Sequence, residues 1–117
     1  VMQSISLADT LTISSRECDI TVTTNTPGLE TDSRNLVYRA AALLKETFRI
    51  SQGVHIHIDK DIPIAAGLAG GSSDAAATLS GLNKLWNMGL RQEELAELGA
   101  KLGSDIPFCL YGGTMLA

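Results

Sequence analysis

The sequence predicts a single α/β domain, on three observations. Asp19–Thr24 and Gly53–Lys60 alternate along the chain with period two and are rich in β-branched residues, as half-buried strands are. Arg34–Phe48, Ser72–Trp86 and Gln92–Leu102 instead carry apolar residues three and four apart, the spacing of a helix with one buried face. Between the second of these strands and the second helix, three of the chain's eleven glycines fall within five residues, as Gly67, Gly70 and Gly71. Such a junction marks a strand–loop–helix unit.

The 117 residues suffice for one domain with a core but not for two. A hydrophobic content of 44% is that of a globular chain rather than a disordered one. The net charge is −4 and the nine basic residues are scattered, which argues against a broad nucleic-acid footprint. No apolar run approaches the roughly 20 residues that span a bilayer. Cys18 and Cys109 lie far apart with no C-x-x-C spacing, so neither a metal motif nor a disulfide framework is indicated. Reduced thiols in a cytoplasmic protein are expected. Position 1 is not Met, and Thr114–Ala117 reads as a strand barely begun, so a piece of a longer chain is expected.

In order along the chain, Met2–Leu7 and Thr10–Ile13 read as a bent strand or a tight strand pair, and with Asp19–Thr24 they make an antiparallel start. Asn25–Gly28 is turn chemistry. Asp32 or Ser33 is placed to cap the first helix, whose buried stripe is Val37, Ala40, Ala41, Leu44 and Phe48. In Gly53–Lys60, Val54, Ile56 and Ile58 face the core, while His55, His57 and Asp59 share the other face. Two histidines at i and i+2 can meet a metal. No third ligand is near in sequence, so a solvated strand face is the preferred reading. Trp86 reads as helix-end packing. Glu93 and Glu94 suit the start of the third helix, and Gly103 ends it. Pro107–Tyr111 is expected as an apolar strand.

Two stretches carry chemistry. The first is Pro63-Ile64-Ala65-Ala66-Gly67-Leu68-Ala69-Gly70-Gly71-Ser72-Ser73. Its glycines let the backbone come close to a ligand, and the helix that follows presents unpaired N–H groups and the positive end of its dipole. Loop and helix end together suit a phosphate, with serine hydroxyls as further donors. No Gly-Lys-Ser/Thr ends the loop and the glycine spacing is not G-x-G-x-x-G, so neither a Walker A loop nor a dinucleotide fingerprint is present. Lys60, just ahead of the loop, can help neutralise a bound phosphate. The second stretch is Gly103-Ser104-Asp105-Ile106-Pro107-Phe108. By position alone Asp105 is a turn residue; the functional reading is a base or electrostatic anchor beside a transferring phosphoryl group.

These stretches converge on a known pattern. Ile62-Pro63 through Ser73, continuing Asp74-Ala75-Ala76, resembles the second motif of the GHMP kinases: a proline, three residues, Gly-Leu, and a small-residue loop ending in Ser-Ser. The doubled glycine, Leu82-Asn83-Lys84-Leu85-Trp86, Gly103–Phe108, Asn35–Ala40 and Ser6–Asp9 are similar to the members that act on a cytidine-diphosphate-linked methylerythritol. The resemblance covers essentially the whole chain. It implies the superfamily's N-terminal domain, an α+β two-layer fold of the ribosomal protein S5 domain 2-like type, a mixed sheet with helices on one face. It also implies ATP-dependent phosphorylation of the substrate's C2 hydroxyl in non-mevalonate isoprenoid precursor synthesis, with ATP and Mg²⁺. Pro63–Ser73 would wrap the phosphates, and Asp105 would match the catalytic aspartate.

The family's lysine-bearing first strand, its Gly-Tyr-His stretch and its C-terminal substrate domain have no counterpart in these residues, and Lys60 does not match the lysine. The expectation is therefore that residues 1–117 are an ATP-binding domain truncated at its N-terminus, with little kinase activity alone. An unpaired sheet edge would favour homo-oligomers. Two other readings stay open. One is a superfamily kinase for a different alcohol, such as a sugar or mevalonate derivative. The other is a domain that binds nucleotide or self-associates without catalysis.

Overall fold

The computed structural model describes residues 2–5, 9–25, 31–60, 70–112 and 115–116. In chain order these form β1 (Met2–Ile5), β2 (Asp9–Arg16), β3 (Ile20–Thr24), α1 (Leu36–Phe48), β4 (Gly53–Lys60), α2 (Gly70–Leu85), α3 (Gln92–Leu102), α4 (Ile106–Gly112) and β5 (Met115–Leu116). The strands make one mixed sheet in the order β3-β4-β2-β1-β5. The start of the chain is a tight antiparallel pair, with Met2 opposite Ile13 and Ile5 opposite Thr10. β4 lies antiparallel along all of β2, from Asp9 opposite Lys60 to Arg16 opposite Gly53.

β3 departs from the sequence reading. It does not extend the antiparallel start but pairs parallel with β4, Ile20 beside Val54 and Thr24 beside Ile58. α1 carries the chain from the end of β3 back to the start of β4, so the two strands run the same way.

Alternation sorts the strands cleanly. Leu11 and Ile13 of β2, Val22 of β3, and Val54, Ile56 and Ile58 of β4 are buried on one face. There they meet Val37, Ala40, Ala41 and Leu44 of α1 and the first half of α2. Every side chain from Ser73 to Leu79 is buried, so α2 is the central helix of its layer. The run Ala75–Ala77 permits close approach on all sides, and the Thr78 hydroxyl is satisfied inside the helix by donating to the Asp74 carbonyl at 2.8 Å.

The opposite face is polar. His55 Nδ1 shares a 2.7 Å hydrogen bond with Thr21 Oγ1, and His57 Nδ1 one of 2.8 Å with Thr23 Oγ1. Asn25 Nδ2 donates to Asp59 Oδ1 at 2.7 Å. The two histidines are thus a half-buried, threonine-bonded strand face. Among the described residues no group of three or more His, Cys, Asp or Glu is arranged to hold a metal ion.

Helix ends hold further corrections. Asn35, not Asp32 or Ser33, caps α1: its Oδ1 accepts from Val37 N at 2.7 Å. Asp32 instead accepts from Arg34 N at 3.0 Å and pairs with the Arg34 guanidinium. Phe48, expected on the buried stripe, is 42% exposed at the helix end. α2 starts at Gly70, two residues before the expected Ser72. Pro107–Tyr111 is not a strand; it lies in α4. Ile106 and Leu110, four apart, are both buried, and Pro107 sits in the first turn, where a missing N–H costs no helical bond.

One corner is unusually tight. A Cβ on Gly53 would overlap the carbonyl oxygen of Asp19, which accepts from Val54 N at 2.8 Å. Arg49 ends α1 in the left-handed region at φ 52°. Lys45 Nζ lies 2.9 to 3.4 Å from the carbonyl oxygens of Cys18, Ile50, Ser51 and Gln52, tying the β2–β3 turn to the α1–β4 turn.

Candidate functional site

Of the predicted glycine loop, Pro63, Ile64, Ala65, Ala66, Gly67, Leu68 and Ala69 lie outside the described residues. The structure describes what flanks them. β4 delivers the chain to Lys60, and α2 resumes it at Gly70. Gly70 and Gly71 therefore belong to the first turn of α2 together with Ser72 and Ser73. No acidic residue stands in that turn. The first turn of this 16-residue helix thus adds no negative charge of its own at the positive end of the dipole. Ser72 is half-buried and Ser73 buried.

Sequence reasoning missed Asp9. It is 2% exposed, on the same face of β2 as Leu11 and Ile13, and its Cα partner is Lys60, the residue that opens the loop. The signal was available in the alternation Asp9-x-Leu11-x-Ile13, which puts a carboxylate on the buried face. Ser73, Asp74 and Thr78 are buried as well, so the head of α2 is a polar zone within an otherwise apolar layer.

Asp105 stands in the turn between α3 and α4, exposed to solvent. Its carbonyl accepts from Cys109 N at 3.3 Å, and Ile106 N donates to the Gly103 carbonyl at 3.3 Å. The anchor is the neighbour, Ile106, which is fully buried. A Cβ built on Gly99 of α3 would lie 2.6 Å from Ile106 Cγ2 and 3.4 Å from Leu79 Cδ1 of α2. Three helices meet at this point, and only a residue without a side chain fits there. Leu79 is two helical turns from Ser72, about 10 Å along α2. The carboxylate is thereby tied to the same helix whose head flanks the glycine loop. Burial pushes the Cys109 thiol up in pKa, and the charge of Asp105 adds to the shift. A thiol held protonated in this way is a weak nucleophile.

The run Leu82–Trp86 has a local explanation. Asn83 Nδ2 donates to the Leu90 carbonyl and Leu90 N donates to Asn83 Oδ1, both at 2.9 Å, so one amide fixes the connection from α2 to α3. Trp86 packs partly buried against the core, as expected.

The family model for the GHMP kinases N terminal domain matches residues 35–113, which include both chemical stretches. The chain belongs to the GHMP kinases. Among curated GHMP relatives, the 4-diphosphocytidyl-2-C-methyl-D-erythritol kinase of Brevibacillus brevis (strain 47) is 57% identical over 118 residues, covering all of this chain and 40% of that protein. The kinase of the same name from Geobacillus sp. (strain WCH70) is 59% identical, covering all of this chain and 41% of that protein. The chain thus spans about two fifths of the curated relatives it matches.

A crystal structure of 4-(cytidine 5'-diphospho)-2C-methyl-D-erythritol kinase superposes with a TM-score of 0.71 at 38% identity, over 95% of this chain and 38% of that one. Homoserine kinase from Cytophaga hutchinsonii superposes with a TM-score of 0.74 at 22% identity, over 98% of this chain and 47% of that one, a likeness of fold alone. The mixed sheet with its helices on one face is therefore the GHMP kinase N-terminal fold.

Proposed function

We propose that this chain is the ATP-binding part of a kinase that phosphorylates the C2 hydroxyl of 4-diphosphocytidyl-2-C-methyl-D-erythritol, a step of isoprenoid precursor synthesis. The observation that carries the reading is identity of 57% and 59%, over the whole chain, to relatives bearing that kinase's name. The fold alone does not choose the alcohol, since homoserine kinase superposes equally well.

In this reading the backbone of Pro63–Ser73 and the head of α2 hold the ATP phosphates. The absence of an acid from the first turn of α2 supports it. ATP supplies the phosphoryl group when bound, and Mg²⁺ offsets its charge, with the hydroxyl of Ser72 or Ser73 as the nearest ligand this chain offers. Asp105, held in place through Ile106 and Gly99, orients the acceptor hydroxyl and takes its proton as that oxygen attacks. Its exposure in this domain suits a group that faces a substrate.

The relatives are about two and a half times as long as this chain, and we assign the remaining catalytic and substrate-binding groups to those further parts. The isolated domain then binds nucleotide but turns over little. No described helix is long and apolar enough to cross a membrane. A cytoplasmic enzyme acting on a small soluble substrate completes the reading.

Calorimetry with ATP and Mg²⁺ tests it on the 117-residue chain and on Gly70→Val. Saturable binding that the substitution weakens at least tenfold, with the melting temperature retained, is expected. Equal binding by both proteins removes the loop from the site.

A further inference from the structure

The second half of α2, the start of α3 and the end of α4 enclose an open cleft of about 450 Å³. Small-molecule sites run from roughly 300 to 1,000 Å³. The floor of the cleft is apolar, made by Leu90 before α3, Leu95 of α3 and Leu110 of α4. Its rim is polar, and part of that polarity is already engaged. The Asn83 amide is taken up by both backbone groups of Leu90, and Gln92 Nε2 donates to the Leu110 carbonyl at 2.5 Å. The Ser80 hydroxyl and the Lys84 ammonium remain. They stand one turn apart on one side of α2, and among the described residues neither side chain has a hydrogen-bond or ion-pair partner. No carboxylate lines the cleft. The acids nearest in sequence, Glu93 and Glu94, lie 4.0 and 3.4 Å from Arg91 Nε. A lysine in the last turn of a helix also suits the dipole, but the dipole does not account for the hydroxyl and the apolar floor beside it.

We propose that this cleft binds a small amphiphilic anion: a short apolar chain laid on Leu90, Leu95 and Leu110, with a phosphate or carboxylate end held by Lys84 and Ser80. Charge chooses the head group, since an ammonium with no acid beside it favours an anion and strengthens its hydrogen bonds. The leucine floor chooses the tail, since covering it removes apolar surface from water. Neither half of such a ligand satisfies the cleft alone.

The cleft is distinct from the site described above. Ser80 stands ten residues past Gly70, about 15 Å along α2. α3 and α4 form a hairpin with Asp105 in its turn, and the cleft lies at the open end of that hairpin, where Gln92 meets Leu110. A ligand there rests on α4 without entering the reaction site, so the inference stands independently of which alcohol is phosphorylated.

The test is a titration of the ¹⁵N-labelled 117-residue chain by NMR, with hexyl phosphate, heptanoate, 1-hexanol and inorganic phosphate as separate probes. Saturable shifts of the Ser80, Lys84, Leu90, Gln92 and Leu95 amides are expected with hexyl phosphate or heptanoate, and the tighter of the two names the head group. Lys84→Met, an exposed change, is expected to weaken that probe roughly tenfold, as loss of a charge-assisted hydrogen bond does. Ser80→Phe is expected to fill the cleft and abolish the shifts. The proposal is overturned by binding of 1-hexanol as tight as that of both anions, by equal binding to Lys84→Met, or by the absence of saturable shifts at these amides. Shifts confined to the head of α2 also overturn it, since they place the anion at the phosphate site. ATP with Mg²⁺, titrated separately, keeps the two readings apart. Cleft binding without ATP binding supports this proposal and counts against the nucleotide site, and the converse does the reverse.

Discussion

The two ends of β4 are built on opposite principles. At Gly53 the chain is held by what leaves no room: a backbone contact with Asp19 that excludes a Cβ, a left-handed residue at Arg49, and a lysine head group set among four carbonyls. At Lys60 the same strand ends beside the glycine-rich stretch of the sequence, and the chain is next described at the head of α2, whose first turn carries no acid. One end is locked by its own backbone. The other lies beside the stretch of sequence to which we assign the phosphates.

Gly53→Val attacks the braced end where it is tightest. The branched side chain must displace the Asp19 backbone, so a loss of about 3 kcal/mol or more is expected, read by urea denaturation. A loss below about 1 kcal/mol means that the corner yields and the contrast is weaker than described. At the open end Asp105→Asn, in a chimera in which this chain replaces the matching region of the Brevibacillus brevis kinase, is expected to lower turnover about 1000-fold, as loss of a general base does. Its melting temperature stays unchanged, because the carboxylate is exposed. A fall in both would make Asp105 a structural turn residue after all.

How much of this was legible follows from how local each signal is. β4 and α3 match the sequence reading residue for residue, because alternation and 3–4 spacing are properties of neighbouring residues. α4 was missed because a five-residue apolar run has too few positions to tell a period of two from one of 3.6. Pro107 was the available clue. The parallel pairing of β3 was not legible, since it depends on β4 entering between β2 and β3, a choice made by the whole sheet. At the site, Asp105 was found by resemblance against its own local reading. Asp9 was overlooked because the second run was started at Thr10, which left the acid in the break between two runs rather than on the buried face of β2. Gly99 gave no sign, because its reason is Ile106 on another helix.

Two smaller effects sharpen the comparison. Lys45→Met keeps the apolar stem and removes the donors to the surrounding carbonyls. A loss of about 1–2 kcal/mol is expected, from thermal unfolding, with ATP binding unaltered. Altered binding would mean that strain at one end of β4 reaches the other. Smallest is the acid limb. The Arg34 side chain, with its backbone N–H, lowers the Asp32 carboxyl from the ordinary 3.8 to about 2. A folded-state pKa below the unfolded one adds stability above about pH 4, which is lost as the pH falls toward 2. Asp32 is fully exposed, so Asp32→Ala is expected to flatten that limb only slightly in melting temperatures taken from pH 5 to 2. A large change would place Asp32 in the α1 cap, the role Asn35 holds.

The lysine at the braced corner has a further consequence. Four main-chain oxygens converging on one positive centre form the kind of cage that elsewhere coordinates a potassium ion. A dissolved ion would come and go with its concentration. Here the cation is covalently leashed to α1, so the corner is filled in any buffer, and arginine, broad and planar, is no substitute for so compact a charge.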